Sequence, residues 1–482
     1  MLKRVLNAAA WGYAGTTLKL VMQLGVQIVL ARLLGPTEYG LFAIGVMAVS
    51  FALFFGDVAS SALIPRQNLE TEEIRFAFTW QMIVGISVTV IIALLAGAIA
   101  KFVNEPRAEY VIRALSLICL FNAVGGVSLA LLRRNIDFKT IQIAQVIGYF
   151  VGYVLLAIPY AIFVGASVTA LVIAWLGQVL VTSAIYIFKA SHSFRPILRC
   201  NNGRELLTFG FHSFVSNLGT WSIMNIDKVV IARTFPVIQV GLYSTAYNLL
   251  STPLTLIYST LQQLTFSTSS QLSNNRAGQV LSALISLVVV FAGLGYVFSL
   301  VMAKPIVLLL YGEKWIAAVP FIKAFSVTMF FYAIAGVITP LLWAHGAVRK
   351  DAIIQVFMAV LIGIGALVLW HWSAIAVAWW VAIVFALRTA ILITAGLRVF
   401  PEIRHALNET LLKGATFLLL AGLLFLSVDR YLWNTGFSIT VRMVVGFCLF
   451  FLILLLLLRY RGLLGQEFKK TVELVAKNYQ LN

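Results

Sequence analysis

An all-α polytopic membrane protein of about 14 transmembrane helices, arranged as two parallel six-helix repeats plus two C-terminal helices, is the fold class this sequence predicts. Three observations predict it. Hydrophobic residues make up 61% of the 482 and charged residues only 11%, against about 25% charged in a soluble chain. Runs of roughly 20 apolar residues, enough to cross about 30 Å of hydrocarbon, recur along the whole length. Finally, one motif is written twice: Val29 to Phe42 reads VLARLLGPTEYGLF and Val230 to Tyr243 reads VIARTFPVIQVGLY.

Taken in order, the apolar runs cover residues 10–34, 40–64, 76–100, 111–132, 140–163, 166–188, 209–234, 239–266, 279–303, 316–344, 351–372, 374–397, 410–428 and 437–458. They are numbered here as spans 1 to 14. Only Gly165 divides span 5 from span 6, and only His371 to Ser373 divide span 11 from span 12. Lys3-Arg4 ahead of span 1 imitates a signal peptide, but no small-residue cleavage site closes the run before Arg32, so span 1 is expected to stay. Cys119 and Cys448 fall in spans and Cys200 in a loop, which offers no disulfide framework.

The duplication sets the organisation. At an offset of 201 residues, Ala31-Arg32 aligns with Ala232-Arg233 and Gly40-Leu41 with Gly241-Leu242. A second register, at 210, pairs Arg113 to Ser116 with Lys323 to Ser326, Gly126 with Gly336, Lys139 with Arg349 and Gln145 with Gln355. Six spans separate the copies, so both enter the membrane in the same sense and a pseudo-twofold axis runs along the membrane normal. The expected parts are an N-lobe over 1–190, a cytoplasmic loop over 191–208 and a C-lobe over 209–400. Residues 401–482 carry spans 13 and 14 and a basic tail.

The net charge of +18 could suggest nucleic acid, but its distribution argues otherwise. With a cytoplasmic N-terminus, about two thirds of the Lys and Arg fall on cytoplasmic ends, the positive-inside signature of a multi-pass plasma-membrane protein. Both termini are then cytoplasmic. The densest groups, Arg133-Arg134-Lys139, then Lys189, Arg195, Arg199 and Arg204, then the tail, read as anchors beside anionic lipid. No nucleic-acid partner is expected.

Ionisable residues inside spans cost about 2.5 to 3.5 kcal/mol on insertion scales and mark function by default. Three cations lie there: Lys19, Lys228 and Arg388. Span 1 aligns Gly12, Thr16, Lys19, Gln23 and Gln27 on one helical face. Under the 201 offset, span 7 carries Ser213, Asn217, Thr220, Met224 and Lys228. Two matching polar stripes suggest a hydrated cavity bounded by both lobes, and interhelical hydrogen bonding in a dry bundle is the competing reading. Candidate substrate-binding residues are therefore Lys19, Gln23, Gln27, Asn217, Lys228 and Arg388. Depth would allow Lys19 and Asp57 to pair, although Asp57 could instead face cytoplasmic water; Asp57 and Asp227 are ion-coupling or structural charges. Ammonium and guanidinium groups suit phosphate oxygens, and Pro159, Pro253 and Pro340 offer bends within spans.

Asn225-Ile226-Asp227-Lys228, Gly241 to Asn248, the Leu310 to Trp315 loop and the Ala31-Arg32 to Tyr39-Gly40 stretch together resemble polysaccharide exporters of the Wzx type. The resemblance is to the colanic-acid exporter branch of the multidrug and oligosaccharidyl-lipid exporter superfamily. It implies a flippase for undecaprenyl-pyrophosphate-linked oligosaccharide repeat units in the bacterial inner membrane, serving exopolysaccharide or lipopolysaccharide biosynthesis. Asp227 occupies an Asp that recurs in this motif of the family. The expected partners are the lipid-linked oligosaccharide, membrane lipids, a polysaccharide polymerase and a chain-length regulator, with the chain working as a monomer. No cofactor is expected, and coupling to H+ or Na+ stays open.

Three alternatives remain at this stage. A multidrug exporter of the same fold would want carboxylates facing a cationic drug, and span 1 has none. A membrane glycosyltransferase would need acid-base or metal-binding groups, yet no HExxH, Cys pair or phosphate-cradling glycine loop appears and His192, His212, His345, His371 and His405 are scattered; the chain is not expected to be an enzyme. A non-transporting scaffold of a polysaccharide assembly complex would make substitutions of the polar stripe silent.

Overall fold

The computed structural model describes the backbone of residues 2–56, 60, 62–64, 69–271, 274–344, 347–399, 401 and 404–459, with side chains described outside 2–10, 54–56, 209, 211–220, 255–283, 344, 348, 399, 405–407, 410 and 458. Apart from turns and connecting segments those residues are helical, with no strand among them. Seventeen α-helices follow in order: α1 (Leu2–Leu34), α2 (Pro36–Gly56), α3 (Thr71–Phe102), α4 (Ala108–Leu115), α5 (Leu117–Arg134), α6 (Phe138–Tyr149), α7 (Ile158–Phe163), α8 (Val168–Lys189), α9 (Gly203–Thr234), α10 (Val237–Gln271), α11 (Asn274–Val301), α12 (Ala303–Leu310), α13 (Val319–Ala344), α14 (Val348–Leu369), α15 (Ala374–Val399), α16 (Arg404–Asn434) and α17 (Ile439–Arg459). A π-helical stretch, Phe150–Ala157, joins α6 to α7, and a 3-10 turn, Glu313–Ala318, leads into α13.

Twelve stretches among the described residues are long and apolar enough to cross a membrane. They coincide with spans 1 to 6 and 9 to 14. Helices α9 and α10, 32 and 35 residues long, stand at spans 7 and 8 and lie outside those twelve. The outward surface is that of a membrane protein: Phe163 and Phe188 are each 84% exposed and Leu94 77%, an arrangement that hydrocarbon favours and water does not. Hydroxyls inside the bundle are satisfied locally. Thr16, Thr89, Thr234, Ser326 and Thr328 each donate to the carbonyl four residues earlier, which lets them sit where no water competes.

Span 4 departs from the expected continuous helix. It breaks at Ser116 into α4 and α5, where the Ser116 hydroxyl donates to the Arg113 carbonyl at 2.7 Å and the Thr89 hydroxyl donates to the Ser116 carbonyl at 3.3 Å. Pro159 sits at the start of α7, directly after the π-helical stretch. A missing N–H at that position removes one helical bond and so favours such a local change of pitch.

By contact density the chain forms two compact units, Met1–Ser244 and Thr245–Asn482, and the division falls inside α10. In the first unit α8 packs on α5, α6 and the π-helical stretch, and α3 packs on α5. The segment following α8 belongs to this unit too. Arg75 Nε donates to the Arg195 carbonyl at 3.0 Å, Ile197 N donates to the Thr79 hydroxyl at 2.9 Å, Ser128 Oγ donates to the Ala190 carbonyl at 3.0 Å, and Asn202 donates to Glu73 at 2.9 Å. Helix α9 is held against α2 by Trp221 Nε1 donating to Ser50 Oγ at 3.1 Å and by an edge contact of Trp221 with Phe51. In the second unit α13 packs on α11 and α15, while α16 packs on α11 and α17.

Candidate functional site

Within the first unit, α1, α2, α3, α5, α6 and α8 line a partly open cavity of about 250 Å³. Its polar lining is Lys19 from α1, Gln81 from α3, Asn122 from α5, Gln145 from α6, and Gln178, Thr182, Ser183 and Tyr186 from α8. Lys19 Nζ lies 3.4 Å from Gln145 Oε1. Gln81 is 1% exposed, and neither its Nε2 nor its Oε1 has a hydrogen-bond partner. A buried amide left unpaired loses solvation without compensation.

Small residues make this space possible. Gly126 faces Gln81, and a Cβ there would come within 2.0 Å of Gln81 Nε2. Any larger residue would displace the end of the Gln81 side chain. Thr182 donates to the Ala144 carbonyl at 3.3 Å, which pins α8 to α6 beside Gln145.

The other anticipated residues are not gathered in this cavity. Gln23 and Gln27 are half-buried on α1 but do not line it. Asp57 and the Asn217 side chain lie outside the described residues, so the Lys19–Asp57 pair does too. Asp227 is 3% exposed and accepts a hydrogen bond from the Tyr243 hydroxyl, with its other oxygen unpartnered. Lys228 is half-buried, 3.5 Å from Asn225 Oδ1.

Arg388 was expected to face a cavity, and the structure places it in a different setting. It is 5% exposed within the second unit, 3.9 Å from Asp351 Oδ1. Asp351 Oδ2 accepts from Trp343 Nε1 at 2.9 Å and from Gln355 Nε2 at 2.7 Å. Sequence reasoning missed Gln81, Asn122 and Asp351, and used Gln145 only as a repeat marker. Four amides inside apolar spans were the available signal.

The 210-residue register now acquires chemical content. Gln145 and Gln355 are equivalent, as are Gln178 and Arg388. In the first unit these positions border a cavity with a lysine; in the second they close on a buried carboxylate. Among the described residues no group of three His, Cys, Asp or Glu could hold a metal ion.

Compared with families of known proteins, residues 29–320 match the model of a family described as "Polysaccharide biosynthesis protein". The chain belongs to that family. The chain is 24% identical over 341 residues to the succinoglycan biosynthesis transport protein ExoT of Rhizobium meliloti, covering 70% of this chain and 67% of the relative. It is 21% identical over 360 residues to the lipopolysaccharide biosynthesis protein WzxC of Escherichia coli, covering 74% and 73%. The resemblance to Wzx-type proteins read from Asn225 to Asn248 and the doubled motif therefore holds. Among solved structures, the lipid II flippase MurJ in an inward closed conformation aligns with a TM-score of 0.71 at 16% identity, covering 95% of this chain and 99% of that one. An inward-facing multidrug resistance MATE family transporter aligns at 0.63 and 18% identity, covering 80% and 94%. These two likenesses show the fold alone: the chain folds like MurJ and the MATE transporter.

Proposed function

We propose that this protein is a flippase that moves undecaprenyl-pyrophosphate-linked oligosaccharide repeat units across the bacterial inner membrane, with both termini cytoplasmic. The observation that carries the proposal is the amide-lined cavity with Lys19, a hydrophilic space inside a unit whose outer surface is apolar. A bundle that needed only to stand in lipid would gain nothing from four amides and a lysine around one cavity. Family membership and the flippase and exporter fold support the same reading.

In this proposal the sugar head enters polar space while the two lobes alternate between inward and outward access, and the prenyl tail stays in lipid. An apolar groove of about 440 Å³ between α16 and α17, bordered by Phe417, Leu420, Leu424, Ile453 and Leu456 with Lys413 at one end, suits such a tail. The alternative, a multidrug exporter, would draw on carboxylates to hold a cation. None of the described residues lining the cavity is a carboxylate, and Asp57 lies outside them.

The experiment is transfer of a fluorescent lipid-linked oligosaccharide between leaflets of vesicles containing the full chain. Transfer above protein-free vesicles supports the proposal. Failure to move the lipid-linked sugar, together with export of a cationic dye, would replace it with the multidrug alternative.

A further inference from the structure

We infer that the groove between α1 and α6 is a binding site for one anionic phospholipid, which lays an acyl chain along the groove and sets its phosphate against Lys139. The groove shares no lining residue with the cavity around Lys19, and its occupant is independent of what the protein transports.

The shape follows from residue spacing. Trp11, Ala14 and Leu18 of α1 and Ile143, Val146 and Ile147 of α6 border a groove of about 170 Å³. The α1 residues recur at three and four, so they share one face, and the rise of 1.5 Å per residue gives that face a length of about 10 Å. Its floor is a close crossing: a Cβ on Gly15 would lie 2.5 Å from Gln142 Cβ. Trp11, Leu18, Ile143 and Ile147 are exposed, so the groove opens outward. An apolar strip this narrow suits one unbranched hydrocarbon chain; a polyprenyl chain, methyl-branched along its length, is broader.

One end of the groove is charged. Trp11 and Phe138 are the first residues of their membrane-spanning stretches, which puts Lys139 at the level where hydrocarbon gives way to headgroups. In the orientation proposed above this is the cytoplasmic leaflet. Lys139 Nζ sits 5.0 Å from the centre of the Trp11 ring. A ring carries no net charge, so the contact positions the ammonium at the end of the groove and leaves its charge in place. Arg133, exposed in the last turn of α5, adds a second cation beside the connection to α6. The carboxylate of that connection, Asp137, is turned to the N-terminus of α6, where it accepts from Thr140 N at 3.1 Å and from Thr140 Oγ1 at 2.7 Å. An apolar strip with a cation at its headgroup end matches a lipid whose phosphate carries an uncompensated negative charge. A zwitterionic headgroup would bring its own ammonium beside Lys139.

The test is native mass spectrometry of the full chain, delipidated in detergent and titrated with palmitoyl-oleoyl phosphatidylglycerol or phosphatidylcholine. Expected is one phosphatidylglycerol bound about ten-fold more tightly than any further copy and than phosphatidylcholine, with a rise in melting temperature that tracks its occupancy. Lys139→Gln should remove the preference between the two lipids. Ala14→Trp, which fills the groove and keeps Lys139, should remove the tight site, and Ile143→Trp fills it from the other wall where Ala14→Trp fails to fold. Arg199→Gln, at an exposed cation in the segment after α8, should do neither. Absence of a tight site, equal binding of the two phospholipids, or a preference that survives in Lys139→Gln would each overturn the inference. So would displacement of phosphatidylglycerol by undecaprenyl phosphate at equal concentration, which would assign the groove to a prenyl tail, or by inorganic phosphate, which would show that the groove takes no part in binding.

Discussion

Gly40 and Gly241 occupy mirrored positions in one crossing. A Cβ placed on Gly40 would lie 2.0 Å from the Val237 carbonyl oxygen, and one placed on Gly241 would lie 1.9 Å from the Pro36 carbonyl oxygen. Pro36 and Val237 are themselves equivalent under the 201-residue offset, so each copy of the duplicated motif supplies the surface against which the other's glycine rests. The first turns of α2 and α10 approach backbone to backbone, which only residues without a side chain allow.

Either glycine should therefore be intolerant of alanine, and to a similar degree. Gly40→Ala and Gly241→Ala are each expected to cost about 1 to 3 kcal/mol by overpacking, seen as a lower melting temperature of the detergent-solubilised protein. Gly25→Ala, where a Cβ meets nothing within 4 Å, should leave the melting temperature unchanged or raise it. Equal tolerance at all three positions would show that the crossing does not constrain the fold.

Gln81 separates stability from function. Removing an amide whose donor and acceptor are both buried and unpartnered relieves a desolvation cost of about 1 to 3 kcal/mol. Gln81→Leu should thus melt at the same temperature or higher while transferring lipid-linked sugar more slowly. A variant less stable than wild type, or one with undiminished transfer, would mean that Gln81 is an ordinary packing residue.

The fold was legible because two strong signals coincide. Apolar runs mark the spans, and the tight Gly40–Gly241 crossing ties both copies of the motif to the same residues. Lys19 was legible for an energetic reason, since a cation in hydrocarbon stands out against its surroundings. Gln81 and Asn122 were not, because a lone amide in a span reads equally well as interhelical glue, and only tertiary structure brings α3, α5, α6 and α8 together around one cavity. Arg388 stood out for the same reason as Lys19, yet its partner Asp351 lies near the start of α14 and pairs with it only once α14 and α15 pack.

Acid should loosen the segment after α8. His192 sits among Phe78 and Phe194, with ring centroids 5.0 and 4.9 Å away, and burial holds its pKa below the usual histidine value despite the contact with the Ser193 carbonyl. A histidine whose folded-state pKa is depressed binds fewer protons folded than unfolded, so its stabilising neutral form is present at pH 7.5 and is lost as pH falls below about 6.5. Hydrogen exchange over residues 190–202, corrected for intrinsic rates, should accelerate between pH 7 and pH 5 in wild type and not in His192→Phe. The same acceleration in both proteins would assign it to another group.

The buried pair in the second unit provides the sharpest contrast with the open cavity in the first. Arg388 and Asp351 are 5% and 1% exposed, and Arg388 Nε and Asp351 Oδ1 have no hydrogen-bond partner. Removing one charge strands the other in a low-dielectric interior, at a cost of about 3 to 5 kcal/mol. Removing both leaves only the Trp343 and Gln355 donors to be satisfied. Arg388→Met and Asp351→Leu should each lower the melting temperature steeply, while the double variant recovers a large part of the loss, an interaction energy of about 1 to 3 kcal/mol in a double-mutant cycle. Strictly additive losses would show that the two charges, 3.9 Å apart, are each stabilised by other neighbours. Recovery would establish that Arg388, which stands where the first repeat has Gln178, is neutralised within its own unit by Asp351.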